Sequence, residues 1–301
     1  MDSDSKLLQI RKIIINADDL GLSEGTNNGI VNALQHGLVS STSLMACGRA
    51  FDHAVVLLKK AGITGAGVHL TLDEERPVCE ASAISSITTS SGRFMERGIL
   101  LKKLLLTNQI NMDHVYLEFR SQIHKIRDAG LTVTHLDGHG HVHVYPGISR
   151  IVSRLASEFG IRKIRFPAER YSYLDFKRFN AKKYLNKAIV TTFAILARKQ
   201  FAAQHSVMPD GFMGMLFGGS LNVDNLERVF ANMPNARCVE IMSHPGDMDE
   251  QREKEYGHWR YHWTDELNAL LSNSKDDIRR RYGYEIISYG ELNDSLAEHN
   301  N

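Results

Sequence analysis

The chain has 301 residues, of which 43% are hydrophobic and 24% charged; that is enough apolar material for a substantial core, and it fits one large α/β barrel better than two smaller domains. With 36 Lys and Arg against 35 Asp and Glu the formal charge is +1, so no overall field draws the protein to nucleic acid or an anionic membrane, and a small or neutral molecule is the expected partner. Cys47, Cys79 and Cys238 are odd in number and widely spaced, which fits neither a disulfide framework nor a cysteine zinc site and points to a reducing compartment.

The N-terminus, MDSDSKLLQIRK, has acidic and polar residues where a secretory leader needs a basic segment and an apolar run, so a cytoplasmic location is expected. The pattern that follows is strand, turn, helix, repeated. Lys12–Asn16 (KIIIN) reads as a strand, Ser23 as the cap of a helix that Gly37 can close, and Thr42–Met45 as a second strand. Phe51–Lys60 reads as a helix ended near Gly62, and Gly65–Leu70 as a third strand. Between Asp73 and Arg97 periodicity fades into SAISSITTSSG, too long for an ordinary connection, and the segment reads as an active-site loop or a linker. Helices are expected at 97–106 and 112–129, a strand at 132–136, a helix from Pro146 to Gly160, and a strand at Ile161–Phe166. A long helical region rich in Lys and Arg covers 175–203, and its stretch Ala188–Ala197 (AIVTTFAILA) reads as a buried helix, too short to span a membrane. Segments 211–215, 223–233, 237–242, 264–273 and 285–287 supply the remaining strands and helices. About seven βα units without a composition break favour one closed or nearly closed α/β barrel over 1–301.

Asp18 and Asp19 follow the first strand, where such a barrel exposes side chains at its C-terminal mouth. Adjacent carboxylates repel unless a cation neutralises one, so the pair suggests one metal ligand and one general base; a helix cap would explain a single acid. His69 ends the strand GAGVHL, and on its own such a histidine is an ordinary core residue. From His135 to His143, however, four histidines and Asp137 fall within nine residues. Imidazole and carboxylate together suit a borderline divalent ion such as zinc and leave positions open for water and substrate. His244, delivered by EIMSHPG, has a proton mobile enough to protonate a leaving amine. Arg165, in Arg-Phe-Pro at another strand end, orients an acid, binds substrate or makes a surface ion pair.

The blocks IIINADDLGLSEGTNNGI, TSLM, GVHLTL followed by RPV, THLDGHGHVHVYPG and EIMSHPG resemble the YdjC-like carbohydrate deacetylases, a family that includes chitooligosaccharide deacetylases and enzymes of hopanoid sugar trimming. The resemblance spans most of the chain and implies an irregular (β/α) barrel like that of polysaccharide deacetylases. It implies one divalent metal ion, magnesium or zinc, held by Asp19, His69 and His139, with Asp18 as base and His244 as acid in hydrolysis of an N-acetyl group to acetate and an amino sugar. His141, His143 and Arg165 are the candidates for substrate contact or ligand support. The ADD block reads ADDLG where the family commonly has an aromatic residue before the Gly, a change of packing more than of chemistry. The implied partner is an N-acetylated sugar, lipid-linked or not, with no nucleic acid and no transmembrane segment, and a homodimer is allowed. Two rival readings remain: a non-catalytic metal or sugar binding module, against which Asp18 argues, and another metal-dependent hydrolase on a similar barrel.

Overall fold

The computed structural model describes residues 11–169 and 181–293. Its central strand, β1 (Arg11–Leu20), is buried from Ile13 onward. Period-two alternation sends Ile13, Ile15 and Ala17 into the large core shared with the helices, while Ile14 faces a second cluster of Val207, Cys238, Ile287, Tyr289 and Leu292. A strand apolar on both faces belongs inside a parallel sheet. Accordingly β1 pairs in parallel with β2 (Ser41–Leu44), β6 (Cys238–Ser243) and β7 (Tyr284–Ile286). With β3 (Gly65–Leu70), β4 (Thr132–Gly138) and β5 (Gly211–Met213) the order is β4-β3-β2-β1-β6-β5.

The two ends of this sheet meet. Leu136 N donates to Lys163 O (2.9 Å), Arg165 N to Leu136 O (3.0 Å), and Val207 N to Arg162 O (2.7 Å). Val207 leads directly into β5, so the circuit closes as an irregular (β/α) barrel. The strand expected over Ile161–Phe166 is reduced to these isolated bridges, because Pro167 has no N–H for a ladder and restricts the residue before it.

The helices α1 (Glu24–His36), α2 (Phe51–Lys60), α3 (Arg97–Lys102), α4 (Met112–Asp128), α5 (Ile148–Phe159), α6 (Ala181–Ala203), α7 (Val223–Ala231), α8 (Glu250–Tyr256), α9 (Trp263–Leu271) and α10 (Lys275–Tyr282) alternate with the strands. Ser23 caps α1 as expected, its Oγ accepting from Thr26 N at 3.1 Å. The helix expected from Pro146 starts two residues later, since Gly147 has φ 81°. Past Lys102 the expected helix 97–106 widens into a broader turn, Lys103–Thr107. α8 and α10 were not visible as periodic segments; EQREKEY and KDDIRRRY have almost no apolar face, and their caps, Asp249 and the Ser274–Asp277 capping box, hold them. Residues 175–180 of the expected long helix lie outside the described residues. Within α6 the stretch Ala188–Ala197, expected to be buried, is half so: Val190, Ala194 and Ala197 are buried, but Ile189, Ile195 and Leu196 are exposed. No helix among the described residues is long and apolar enough to cross a membrane.

The buried polar residues of α4 fix the chain leaving β3. Gln122 donates to Thr71 O (2.8 Å) and accepts from Thr71 N (3.0 Å), and Glu118 accepts from Val78 N and Cys79 N (2.9 Å each). Beyond them Ile84, Ile87, Phe94 and Met95 are buried, so the segment 73–97 is packed onto the barrel. The three thiols are free, with Cys47 and Cys238 buried.

Candidate functional site

Successive residues of a strand point to opposite faces, so two adjacent acids should not share a site. Asp19 breaks the alternation with φ 64°, and the β1–β2 register shifts between Ala17 and Leu20. Aspartate tolerates this left-handed conformation better than most residues. The turn continues through Gly21 at φ 95°, where a Cβ would meet Met45 O at 3.0 Å. Both carboxylates are thereby buried at the C-terminal mouth of the barrel.

There Asp19 meets the two histidines singled out in the sequence. Its Oδ1 lies 3.2 Å from His69 Nε2 and 2.9 Å from His139 Nδ1. One donor atom from each of Asp19, His69 and His139 lies within 4.8 Å of the others, and all three side chains are buried. The second oxygen, Asp19 Oδ2, is buried without a hydrogen-bond partner. A carboxylate and two imidazoles around an unsatisfied buried oxygen fit a divalent cation, and with three protein donors such a site keeps open positions. Asp137 supports it from behind, its Oδ1 lying 2.9 Å from His69 Nδ1 and so fixing which ring nitrogen faces Asp19. Burial alone would lower the His69 pKa, but Asp137 and Asp18 override it and push it up to about 10. Burial would raise Asp19, and His139 and His69 instead hold it well below its ordinary value. The raised His69 reports a pocket rich in carboxylates, and the lowered Asp19 reports the charge that the two imidazoles lend it.

Beneath this layer sits Arg165, fully buried. It grips Asp18 with two parallel bonds, Nη1 to Oδ2 and Nη2 to Oδ1 at 2.6 Å each, and donates from Nε to Glu240 Oε1 at 2.8 Å. Asp137 Oδ2 is 3.0 Å from its Nη2. Asn16 Nδ2 donates to Asp18 Oδ1 (2.8 Å), and the Tyr289 hydroxyl to Glu240 Oε2 (2.6 Å). Of the roles open to Arg165 in the sequence, the geometry matches the orientation of an acid: it is neither on the surface nor in the wall of the pocket. Burial raises Glu240 to about 7 against the lowering influence of Arg165. His135 stacks on Tyr289 at 3.7 Å between ring centroids, and it occupies the space Gly67 leaves, where a Cβ would come within 2.3 Å of the imidazole.

Above the acids a pocket of about 230 Å³ opens, lined by Asp18, His69, His139, His141 and His244, with Arg97, Tyr145 and Tyr261 among the other walls. His141 faces it because the backbone reverses at Gly140 and His141, with φ 54° and 61°. Burial, then the charge of Arg165, hold the His141 pKa well below its ordinary value, so this imidazole is neutral. His143 points away: its Nε2 lies 3.2 Å from Arg165 O. At the end of β6, His244 N donates to Glu266 Oε2 (2.6 Å), and its ring packs on Tyr261 at 4.7 Å. Trp259 covers His139 at 5.0 Å and donates from Nε1 to Glu74 Oε2 (3.0 Å). The structure thus gathers Asp18, His69, His139, His141 and His244 around one cavity, sets Asp19 against His69 and His139, and leaves His143 and Arg165 behind. The sequence reading missed the supporting Asn16 and Glu240, and it placed Asp137 in the histidine cluster without its part behind His69. Their signal was a polar residue at an inward, period-two position of a strand: Asn16 with Asp18, Asp137 with His135, and Glu240 in an otherwise apolar run.

A parallel barrel with acids and imidazoles converging at its C-terminal mouth defines an α/β-barrel protein with a buried candidate metal centre. The chain belongs to the family described as YdjC-like protein, whose family model matches residues 12–280. It is 34% identical over 284 residues to the carbohydrate deacetylase of Brevibacillus brevis, covering 93% of this chain and 99% of that protein. It is 37% identical over 152 residues to the chitooligosaccharide deacetylase of Salmonella paratyphi B, covering 50% of this chain and 58% of that protein. A crystallised candidate cellobiose-phosphate cleavage protein of Enterococcus faecalis shares the fold with a TM-score of 0.72 at 21% identity, over 94% of this chain and 98% of that one.

Proposed function

We propose that the protein is a metal-dependent hydrolase that removes the N-acetyl group from an acetylated amino sugar or oligosaccharide and releases acetate. The observation that carries this is the buried set Asp19, His69 and His139, with Asp19 Oδ2 unpartnered and a second carboxylate, Asp18, beside it. The named activities of the relatives support the bond and substrate class. A magnesium or zinc ion at these donors would supply Lewis acidity toward a carbonyl oxygen and toward water.

Asp18 is the general base. The Arg165 fork and Asn16 fix its carboxylate plane, and because Asp137 and Glu240 draw on the same guanidinium, that cation is not reserved for Asp18 alone. It takes a proton from the water that adds to the acetamide carbon. His244, on the same pocket wall, gives a proton to the nitrogen as the C–N bond breaks, so that acetate and a free amine leave. Its main chain is tied to Glu266, which fixes where the ring stands. Neutral His141 offers a nitrogen to a sugar hydroxyl. The packed segment 73–97 serves as an active-site loop, bringing Arg97 to the pocket through its 2.6 Å bond to Asp73. The free thiols are in keeping with a cytoplasmic enzyme.

The test is acetate release from a panel of N-acetylated sugars, diacetylchitobiose included, by protein stripped with chelator and restored with zinc, magnesium or cobalt. Release that returns with metal and is lost in Asp19→Asn is the expected result. Tight metal binding with no acetate from any sugar would move the assignment to another hydrolase or a binding module.

A further inference from the structure

α6 is apolar on the side it buries and also on the side it shows to solvent. Val190, Ala194, Ala197 and Phe201 form the buried stripe. On the opposite side Leu185 is 61% and Leu196 63% exposed, with Ile189 and Ile195 exposed beside them. A surface helix ordinarily carries charge there. α6 has no acidic residue; of its five basic ones Lys187 is buried beside Val190, Lys183 donates to Gly218 O, Arg198 lies over the Phe166 ring, and Lys182 and Lys199 are exposed on the solvent side.

α3 and the broad turn after it have the same character. Ile99 and Leu105 are exposed and Leu106 is 77% exposed, Lys102 and Lys103 lie among them, and no carboxylate occurs from Arg97 to Thr107. Both segments wall the pocket that holds the Asp and His cluster, α3 with Leu101 and α6 with Lys183 and Ile189. An apolar, basic rim therefore frames the entrance, a local concentration that the net charge of +1 conceals.

Two like helices from two copies of the chain would meet with basic residues on both and no acid on either. An anionic bilayer surface satisfies both halves of the pattern, taking leucines into the acyl boundary and lysines against the headgroups. We propose that this rim seats the protein on an anionic lipid surface, a reading that does not depend on the deacetylase assignment.

The test is co-flotation of the full chain with vesicles of phosphatidylcholine alone and of phosphatidylcholine mixed with phosphatidylglycerol, at low and high salt. Binding should favour the anionic vesicles and weaken with salt. Lys182→Gln with Lys199→Gln should weaken it about twenty-fivefold, at roughly fivefold per lysine. Leu185→Ser with Leu196→Ser should abolish it while both variants still hydrolyse a soluble acetylated sugar. No flotation of the parent, or flotation unchanged in the leucine variant, overturns the proposal. So does a parent dimer by light scattering that the leucine variant splits without any vesicle binding. Flotation in a protein that releases no acetate would sink the deacetylase reading and leave the docking surface standing.

Discussion

Replacing Arg165 with Met removes the guanidinium that three buried carboxylates share. Asp18 retains Asn16 Nδ2 at 2.8 Å, Asp137 retains His69 Nδ1 at 2.9 Å, and Glu240 retains the Tyr289 hydroxyl at 2.6 Å. Asp18 and Glu240 keep a hydrogen bond and lose the guanidinium charge beside them, whereas Asp137 keeps His69 as a partial counter-charge. Breaking a buried ion pair from one side costs about 3–5 kcal/mol at neutral pH, which lowers Tm on the order of 10 °C. The variant recovers part of this by taking up protons, Glu240 first, because burial already raises it to about 7 with Arg165 in place. Its folded-state pKa then lies further above its unfolded one, so the folded state binds more protons and stability falls as pH rises through neutrality. The gap between variant and parent should thus be wider near about pH 8 than near about pH 5. Thermal unfolding followed by circular dichroism at both values measures it. A gap under about 1 kcal/mol, or one indifferent to pH, would refute the view that Arg165 works by charge. Arg165→Lys should restore little, since an ammonium lacks the planar fork that holds Asp18 and Glu240 together.

Three further outcomes are expected. In the parent, Glu240 titrates near 7 in the folded state against an ordinary 4.5, so it removes stability as pH rises between those values, up to a bound of about 3 kcal/mol. Glu240→Gln should flatten that part of the stability profile, and an unchanged profile would place the titration elsewhere. Gly67→Ala drives a methyl against His135, which cannot retreat because it stacks on Tyr289; a loss of about 1–3 kcal/mol should appear as a lower urea midpoint, and parental stability would mean the ring moves freely. His244→Ala should lower kcat by roughly 10²–10⁴ with zinc affinity unaltered, whereas a matching loss of metal would make it a ligand instead.

The repeating strand and helix pattern was readable because each apolar run has a clear period and a glycine or cap at its end, as in Phe51–Lys60 and Gly65–Leu70, whose bounds the structure reproduces. Neighbouring acids after a strand and a dense histidine cluster were readable too. Which of them does what came from the family resemblance and not from their pattern alone. Alternation would have sent Asp18 and Asp19 to opposite faces, and only the left-handed turn at Asp19 brings them together. His139, His141 and His143 look equivalent in an extended segment, but the reversals at Gly140 and His141 send one to Asp19, one to the pocket and one beneath it. For Arg165 the sequence left open whether it orients an acid, binds substrate or makes a surface ion pair, because its partners, Asp18, Asp137 and Glu240, come from three strands far apart in the chain. Only closure of the barrel makes them neighbours.

The order of layers along the barrel axis accounts for the tolerance of so many acids in one interior. At the base Ile14, Val207, Cys238, Ile287 and Leu292 exclude water and leave the Tyr289 hydroxyl as the polar tip of the plug. Next come Asp18, Asp137 and Glu240 around Arg165, and above them Asp19 between His69 and His139. Four carboxylates against one guanidinium leave a deficit of three positive charges in a buried volume, a state that costs several kcal/mol per unpaired ion. Without a cation the fold meets part of the deficit by holding His69 protonated and Glu240 close to neutrality. The unpartnered Asp19 Oδ2 marks where the remaining charge belongs. Arg165 cannot move up to fill that place, since its guanidinium is fixed by Asp18, Asp137 and Glu240, and so it grips Asp18 and leaves Asp19 to His69 and His139. In the proposed mechanism that separation, one permanent cation below and one exchangeable cation above, would let two adjacent aspartates carry different chemistry.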